Sequence, residues 1–215
     1  MTEQLAFSLS YRTVYGREDF WVAPCNQEAI AWIDKYPEWS QHALWIIGPQ
    51  GSGKTHMARL FSDTVIEAKN LTGYFRPPFQ KKMVVENLQD LPDEEALLHL
   101  FNFVREMGGD LLLTSREIPE FHLPDLISRL NMIPKAEITL PDEQTMRQIA
   151  KNEFEKRHIL VEESVLDYLS QHLTRSFPLL QRVVEQADRQ SLESGRKITI
   201  PILKSVIQGE QRGEV

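Results

Sequence analysis

The sequence predicts an α/β fold, in which a parallel-sheet domain built around a phosphate-binding loop is followed by a smaller, all-helical domain. Three observations support this prediction. A glycine-rich loop at residues 48–55 stands between an apolar run and an amphipathic segment. Further apolar runs alternate with helical patterns up to about residue 140, as expected for a parallel sheet. Beyond that point only helical patterns remain.

The first elements lead into the loop. Asn26 is a candidate N-cap for a helix over residues 28–33, and Pro37 ends that pattern. The apolar run 43–47 stops at Gly48, which is typical of a buried parallel strand. We therefore expect an N-terminal segment at residues 1–25 and the α/β domain at residues 26–140.

The elements after the loop alternate in the same way. We expect a helix over about 54–69, strands at 72–75 and 83–85, a helix over 93–106 closed by glycines, and a strand at 110–115. The all-helical domain, residues 141–215, should contain helices at about 142–158, 162–173, 176–194 and 201–208. Acidic residues stand at the start of the first two of these helices, where they complement the helix dipole.

Composition narrows the possible functions. The 215 residues carry a net charge of −7, and their basic residues are scattered among acids, so direct DNA binding is not expected. No apolar run approaches the length of a membrane span, and the N-terminus lacks the pattern of a signal peptide. The single cysteine, Cys25, allows no intrachain disulfide. These features favour a cytoplasmic protein.

Residues 48–55 match the pattern G-x-x-x-x-G-K-[ST] in full. Its glycines let successive backbone N–H groups point at phosphate oxygens, and the helix that follows adds its positive end. We expect Lys54 to reach the β- and γ-phosphates and Thr55 to hold Mg²⁺. The predicted nucleotide-binding residues of this segment are Gly48, Gln50, Gly51, Ser52, Gly53, Lys54, Thr55 and His56.

A phosphate loop of this kind works with a carboxylate at the end of a neighbouring strand, which orients the metal ion. Glu86, at the end of the run 83–85, is the candidate. Asn87 follows it, and an amide cannot accept a proton from water. Loss of a general base costs roughly 10²–10⁴ in rate, so the pattern favours nucleotide binding over rapid turnover.

Over nearly its whole length the chain resembles the DnaA branch of the AAA+ ATPases, and most closely the Hda regulators within that branch. Residues 20–26 are similar to the segment that lies against the adenine. Residues 111–115 resemble the strand of the first sensor, and residues 123–130 resemble the arginine-finger segment. Residues 194–200 are similar to the end of the lid domain.

The resemblance implies a nucleotide ligand, ATP or ADP with Mg²⁺, and adds Val22 to its contacts. It implies that Arg129 acts in trans as an arginine finger on ATP bound to a partner, DnaA, while Glu86 is the Walker B acid. A surface arginine paired with Asp125 or Glu137 is the alternative for Arg129. A homodimer is a further possibility.

Residues 4–9 resemble the peptide by which Hda proteins dock on the replicative DNA sliding clamp. A glutamine amide forms paired hydrogen bonds, and alternate apolar residues of an extended segment fill a groove. Gln4, Leu5, Phe7 and Leu9 are the expected contacts. A tail with chance apolar residues is the alternative.

Several positions depart from the family pattern. The Walker B acid is a glutamate, Arg116 replaces the aspartate of the first sensor, and the second-sensor position, twenty residues before Ile198, is Pro178. The stretch 73–83 is also short for a strand and helix. We therefore expect a regulator that binds nucleotide but hydrolyses it slowly alone. Two alternatives stay open: an adaptor without effect on hydrolysis, and a self-sufficient P-loop ATPase.

Overall fold

The computed structural model describes residues 22–73 and 78–212 of the chain. Five parallel strands form one sheet in the order β2-β3-β4-β1-β5. The strands are β1 (Ala43–Ile47), β2 (Val65–Glu67), β3 (Lys82–Glu86), β4 (Asp110–Ser115) and β5 (Lys135–Glu137). The helices of this part are α1 (Gln27–Asp34), α2 (Lys54–Phe61), α3 (Glu94–Glu106) and α4 (Pro124–Met132).

The central strand β1 is buried along its whole length and pairs with β4 on one side and β5 on the other. A strand covered on both faces has no polar side to present, which explains its continuous apolar sequence. The carboxyl ends of β1, β3 and β4 meet at one edge of the sheet, where Gly48 donates its N–H to the Ser115 carbonyl at 3.1 Å. The phosphate loop therefore begins at this edge of the sheet.

The two faces of the sheet carry different helices. Alternate residues of a strand point to opposite faces, so neighbours in β1 separate into two cores. Leu44 and Ile46 pack with α1 and α2, whereas Trp45 and Ile47 pack with α3 and α4. Helices α2 and α4 therefore lie on opposite faces of the sheet.

The remaining helices are α5 (Glu143–Lys156), α6 (Glu163–His172), α7 (Phe177–Ser194) and α8 (Ile200–Arg212). Their buried apolar side chains form a core of their own, with Phe154, Leu180 and Leu203 near its centre. Asp142 and Ser176 cap α5 and α7 by accepting backbone N–H groups. None of the described helices is long and apolar enough to cross a membrane.

The predicted fold class, a parallel P-loop sheet followed by helices, is confirmed. Strands β1, β3 and β4 and the helices after residue 142 lie close to their predicted positions. The domain boundary placed after residue 140 stays a prediction.

The prediction for residues 54–75 was wrong. Helix α2 ends at Phe61 instead of continuing to Lys69, and the second strand is Val65–Glu67. Ser62 breaks the helix because its backbone is extended and its hydroxyl donates to the Lys82 carbonyl at 2.7 Å. Thr72 is not in a strand, and residues 74–77 lie outside the described part of the chain.

Two short elements were not predicted: helix α4 and strand β5. The expected cap of α1 also differs, because the Asn26 side chain makes no capping hydrogen bond and accepts instead from the Ala23 N–H at 2.8 Å.

Candidate nucleotide site

The loop at residues 48–55 needs its glycines for two separate reasons. Gly51 and Gly53 have φ angles of +78° and +95°, a region that side-chain-bearing residues rarely adopt. A Cβ on Gly48 would lie 2.5 Å from the carbonyl oxygen of Ile138, which follows β5, and one on Gly51 would lie 2.5 Å from the Ser176 hydroxyl. The backbone is thus packed tightly from both sides, and the loop cannot open by rotating these peptides freely.

Lys54 starts helix α2, and its ammonium group lies within the loop. It donates hydrogen bonds to the carbonyls of Gly48 and, at 2.8 Å, Pro49. Burial, and after it the Arg116 guanidinium, lower the pKa of Lys54 to about 8, while the Glu86 carboxylate opposes the shift. A phosphate would restore the charged form, since an anion beside an ammonium stabilises it.

Ser52 offers an independent test of whether the loop fits a phosphate. Its side chain is fully buried, and its hydroxyl has no hydrogen-bond partner among the described residues. A buried hydroxyl without a partner is costly, and a ligand oxygen would satisfy it. Of the other predicted contacts in this segment, His56 is half-buried on α2, and Gln50 and Thr55 are exposed at the loop.

Glu86 ends β3 inside the site and is 4% exposed. Burial raises its pKa, a hydrogen bond with the Thr55 side chain opposes the rise, and the Glu67 carboxylate adds to it. Thr55 and Glu86, the two residues predicted to hold Mg²⁺, are therefore in direct contact. Their hydroxyl and carboxylate oxygens are ligands that Mg²⁺ prefers.

Sequence reasoning missed a chain of polar contacts beside Glu86. The Asn87 side-chain amide donates to the Glu67 carboxylate of β2 at 3.0 Å, and the Gln89 side-chain amide donates to Asn87 Oδ1 at 3.3 Å. Gln89 in turn accepts the backbone N–H of Arg116 at 3.0 Å. The register places Glu67 beside Glu86, but only knowledge of strand β2 could have revealed this.

The helical part reaches the loop through the start of α7. The Phe177 N–H donates to the Gly51 carbonyl at 3.2 Å, and Ser176 lies against the same glycine. Pro178, at the second-sensor position, is therefore in the first turn of the helix that touches the loop. It brings no charge there.

The segment before α1 is tied to the residues that follow β5. The Thr139 N–H donates to the Cys25 carbonyl at 3.0 Å. Val22, near the start of this segment, is 53% exposed, and its contact with a nucleotide stays a prediction.

Arg129 is not part of this arrangement. It lies in the last turn of α4, which leads from the carboxyl end of β4 back to the start of β5, on the face opposite α2. Its guanidinium stands 6.0 Å from the centre of the Phe101 ring, and its Nε is buried without a hydrogen-bond partner. No ion pair of Arg129 occurs within residues 22–73 and 78–212.

The predicted clamp-binding residues Gln4, Leu5, Phe7 and Leu9 lie outside the described residues.

Comparisons with known proteins agree with this fold. The family described as "Hda, lid domain" matches residues 142–207. An uncharacterized protein of Haemophilus influenzae is 28% identical over 190 residues, which cover 78% of this chain and 82% of that protein. The chromosomal replication initiator protein DnaA of Flavobacterium psychrophilum is 24% identical over 202 residues. That match covers 79% of this chain but only 42% of the DnaA relative.

Solved structures show the same fold. Domain III of the Thermotoga maritima replication initiation protein DnaA superposes with a TM-score of 0.72 at 18% identity, covering 91% of this chain and 96% of that one. The replication initiator DnaA bound to AMPPCP and single-stranded DNA gives a TM-score of 0.66 at 18% identity, with 84% and 66% covered.

The fold and the loop define a P-loop protein of the AAA+ class. Taken with the matched lid family and the DnaA relatives, they show that the chain is similar to Hda-like, DnaA-related AAA+ proteins.

Proposed function

We propose that this chain binds ATP or ADP with Mg²⁺ at residues 48–55, docks on the replicative DNA sliding clamp, and promotes hydrolysis of ATP held by DnaA. Such an activity would negatively regulate the initiation of replication. The observation that carries the proposal is the separation of the chain's two cationic centres. Lys54 serves the chain's own loop, whereas Arg129 lies on the other face of the sheet, available to a partner.

The residues of the loop have distinct tasks in this proposal. The backbone N–H groups and Lys54 hold the phosphates, Ser52 supplies a buried hydroxyl, and Thr55 with Glu86 holds the metal ion. Bound Mg²⁺ neutralises phosphate charge. Asn87 cannot take a proton from water, so hydrolysis by the chain alone should be slow.

Arg129 would act on the nucleotide of the partner. A guanidinium placed against the γ-phosphate stabilises the charge that develops during transfer, an effect worth roughly 10³–10⁵ in rate. The Phe101 ring, whose centre lies 6.0 Å from the guanidinium, restricts the conformations of the side chain. This support reduces the conformational entropy lost when the guanidinium binds.

The test uses DnaA loaded with labelled ATP, mixed with this chain and with the sliding clamp on DNA. Conversion of the label to ADP should accelerate only when both the chain and the DNA-loaded clamp are present. A double variant, Gln4→Ala with Phe7→Ala, should lose the clamp dependence while still binding nucleotide, because residues 4–9 would supply the docking contacts.

The outcomes separate the alternatives. If labelled ADP forms no faster although the chain binds both nucleotide and partner, the chain is an adaptor without effect on hydrolysis. Rapid turnover of free ATP by the chain alone would instead favour a self-sufficient ATPase. A homodimer would be detected by sedimentation of the chain with and without ATP.

A further inference from the structure

Helix α4, which carries Arg129, is joined to strand β4 by residues 116–123, and these residues belong to no helix or strand. The helix begins without a side-chain cap, because Leu123 stands at the N-cap position and Pro124 follows it. A leucine side chain cannot accept the N–H groups at a helix start. The position of the start of α4 therefore depends on contacts with other elements.

The carboxylate of Glu94, in the first turn of α3, accepts hydrogen bonds at the start of α4. The backbone nitrogen of His122 lies 2.9 Å from Oε1 and 3.0 Å from Oε2, and the Leu123 N–H donates to Oε2 at 2.7 Å. Burial raises the pKa of Glu94, but hydrogen bonds from Leu123 and His122 outweigh it and leave the pKa below its ordinary value. The carboxylate is thus charged at neutral pH, and hydrogen bonds to a charged acceptor are short and strong.

Glu94 is not needed to cap its own helix. Asp93 caps α3, since its side chain accepts the Ala96 N–H at 3.1 Å. Glu95, the next residue of the same turn, is exposed. Of these two neighbouring glutamates, Glu94 is the one whose carboxylate meets the start of α4 in the described part of the chain.

A second contact between α3 and α4 lies further along both helices. The centre of the Phe101 ring lies 6.0 Å from the Arg129 guanidinium. Phe101 follows Glu94 by about two turns of α3. Arg129 follows Leu123 by nearly two turns of α4, so the two helices run side by side in the same direction. A change in the angle between the helices would therefore move the guanidinium relative to α3.

The end of α4 is held from the sheet side. Lys135 of β5 donates to the Leu130 carbonyl at 2.8 Å. The Ser40 hydroxyl donates to the Met132 carbonyl at 3.1 Å. With this end fixed, loss of the contact at the start would let α4 tilt about its last turn. A misplacement of about 1 Å at a catalytic group can cost roughly 10²-fold in rate, so even a small tilt matters.

We propose that Glu94 is a positioning residue for Arg129: by holding the start of α4 against α3, it sets the place from which the guanidinium reaches a partner's nucleotide. This inference rests on the proposed function. Glu94 acts only through α4, so its replacement should change the rate of partner hydrolysis and leave the chain's own affinity for nucleotide unchanged.

The test measures clamp-dependent conversion of DnaA-bound ATP at increasing concentrations of the full chain. Glu94→Ala should lower the maximal rate about tenfold or more, while the half-saturating concentration changes less than about threefold. Loss of folded chain would produce the reverse pattern, with a higher half-saturating concentration and an unchanged maximal rate. Glu94→Gln keeps one acceptor oxygen and the length of the side chain, so it should retain more of the rate than Glu94→Ala.

Glu95→Ala is the matched control, because it removes the same charge from the same turn of α3 and leaves the contact with α4 intact. Its maximal rate should equal that of wild type. Hydrogen exchange of the His122 and Leu123 amides gives a readout that does not depend on DnaA. Glu94→Ala should accelerate this exchange, and Glu95→Ala should not.

A wild-type maximal rate in Glu94→Ala would overturn the inference, as would an equal loss of rate in Glu94→Ala and Glu95→Ala. Should Glu94→Ala not fold, Glu94→Gln decides the question, because its NH₂ group would face a backbone N–H donor. A wild-type maximal rate in that variant would overturn the inference as well. No acceleration by the wild-type chain would remove the proposed function itself, whereas wild-type acceleration that survives in the Glu94 variants would remove only the present inference.

Discussion

The loop at residues 48–55 and helix α4 differ in how closely the rest of the chain surrounds their cationic side chains. The loop is enclosed: Ile138 and Ser176 leave no space for a Cβ at two of its glycines, and Lys54 donates to the loop's own carbonyls. In α4, Arg129 rests on one aromatic ring and has no ion pair among the described residues. This difference is what the proposed function requires, in which the loop holds the chain's own ligand and Arg129 acts on a partner.

The largest expected effect is that of replacing Arg129 in α4. Arg129→Ala should slow clamp-dependent conversion of DnaA-bound ATP by about 10³-fold or more, because one guanidinium at the transferred phosphate is lost. The chain's own affinity for ATP should not change, since α4 lies on the face opposite α2. Labelled-nucleotide chromatography measures the first quantity and titration the second.

Arg105→Ala is the matched control and should leave conversion intact. A loss of ATP affinity in Arg129→Ala would break the comparison, because it would place the arginine at the chain's own site.

The next largest effect should be the loss of nucleotide affinity when Lys54 of the loop is replaced. Lys54→Ala should weaken ATP and ADP alike by about 10²-fold, because charge-assisted hydrogen bonds to phosphates common to both are removed. Displacement of a fluorescent nucleotide would report both affinities. Retention of wild-type binding by this variant would mean that the ligand is not held by the loop.

A pH titration should sharpen the contrast further. Lys54 has a pKa of about 8 in the folded chain, against 10.5 for an ordinary lysine. Nucleotide affinity should therefore fall as the pH rises above about 8, by up to roughly tenfold per unit. Lys54→Ala should flatten this profile, whereas Arg129→Ala should leave it unchanged. If the nucleotide affinity of the wild-type chain stayed constant from about pH 7.5 to about pH 9.5, that result would contradict the shifted pKa of Lys54.

Through Lys54, a rise in pH should increase the free energy of unfolding, whereas it should decrease nucleotide affinity. Between about pH 8 and pH 10.5 the unfolded chain keeps a proton that folded Lys54 has lost. The contribution of Lys54 to the free energy of unfolding therefore rises with pH across this window. Denaturant titrations of wild type and Lys54→Ala at several pH values would separate this contribution from the others.

The smallest predicted effect tests the contact between the loop and α7. Ser176→Ala removes the hydroxyl that caps α7, which should cost about 1 kcal/mol of stability. ATP affinity should fall only a few-fold, because the Phe177 N–H still reaches Gly51. A loss as large as that of Lys54→Ala would show that the cap, rather than the loop, holds the ligand.

Local patterns were enough to predict the strands whose burial is continuous. β1 and β4 are buried along their whole length, so their apolar runs carry the information. The phosphate loop was equally clear, because glycines and a lysine at fixed spacing have a mechanical reason.

Elements that depend on contacts with other parts of the chain could not be predicted from local patterns. Val65 follows Phe61 at helical spacing, and only the hydrogen bond from Ser62 to Lys82 shows that the helix has already ended. β5 is three residues long, Lys-Ala-Glu, and exists because it pairs with β1. The contact of Glu67 with Asn87 depends on the same misassigned region, so this part of the site could not be predicted.

The hydrogen bond from the Phe177 N–H to the Gly51 carbonyl has a kinetic consequence. The Gly51 peptide cannot turn until that bond breaks, so release of the proposed nucleotide would wait for α7 to move away from the loop. The dwell time of the nucleotide would then be set by a protein opening rate, which equilibrium affinity does not report. Such a chain would stay loaded through many encounters with other molecules, even where its dissociation constant is modest.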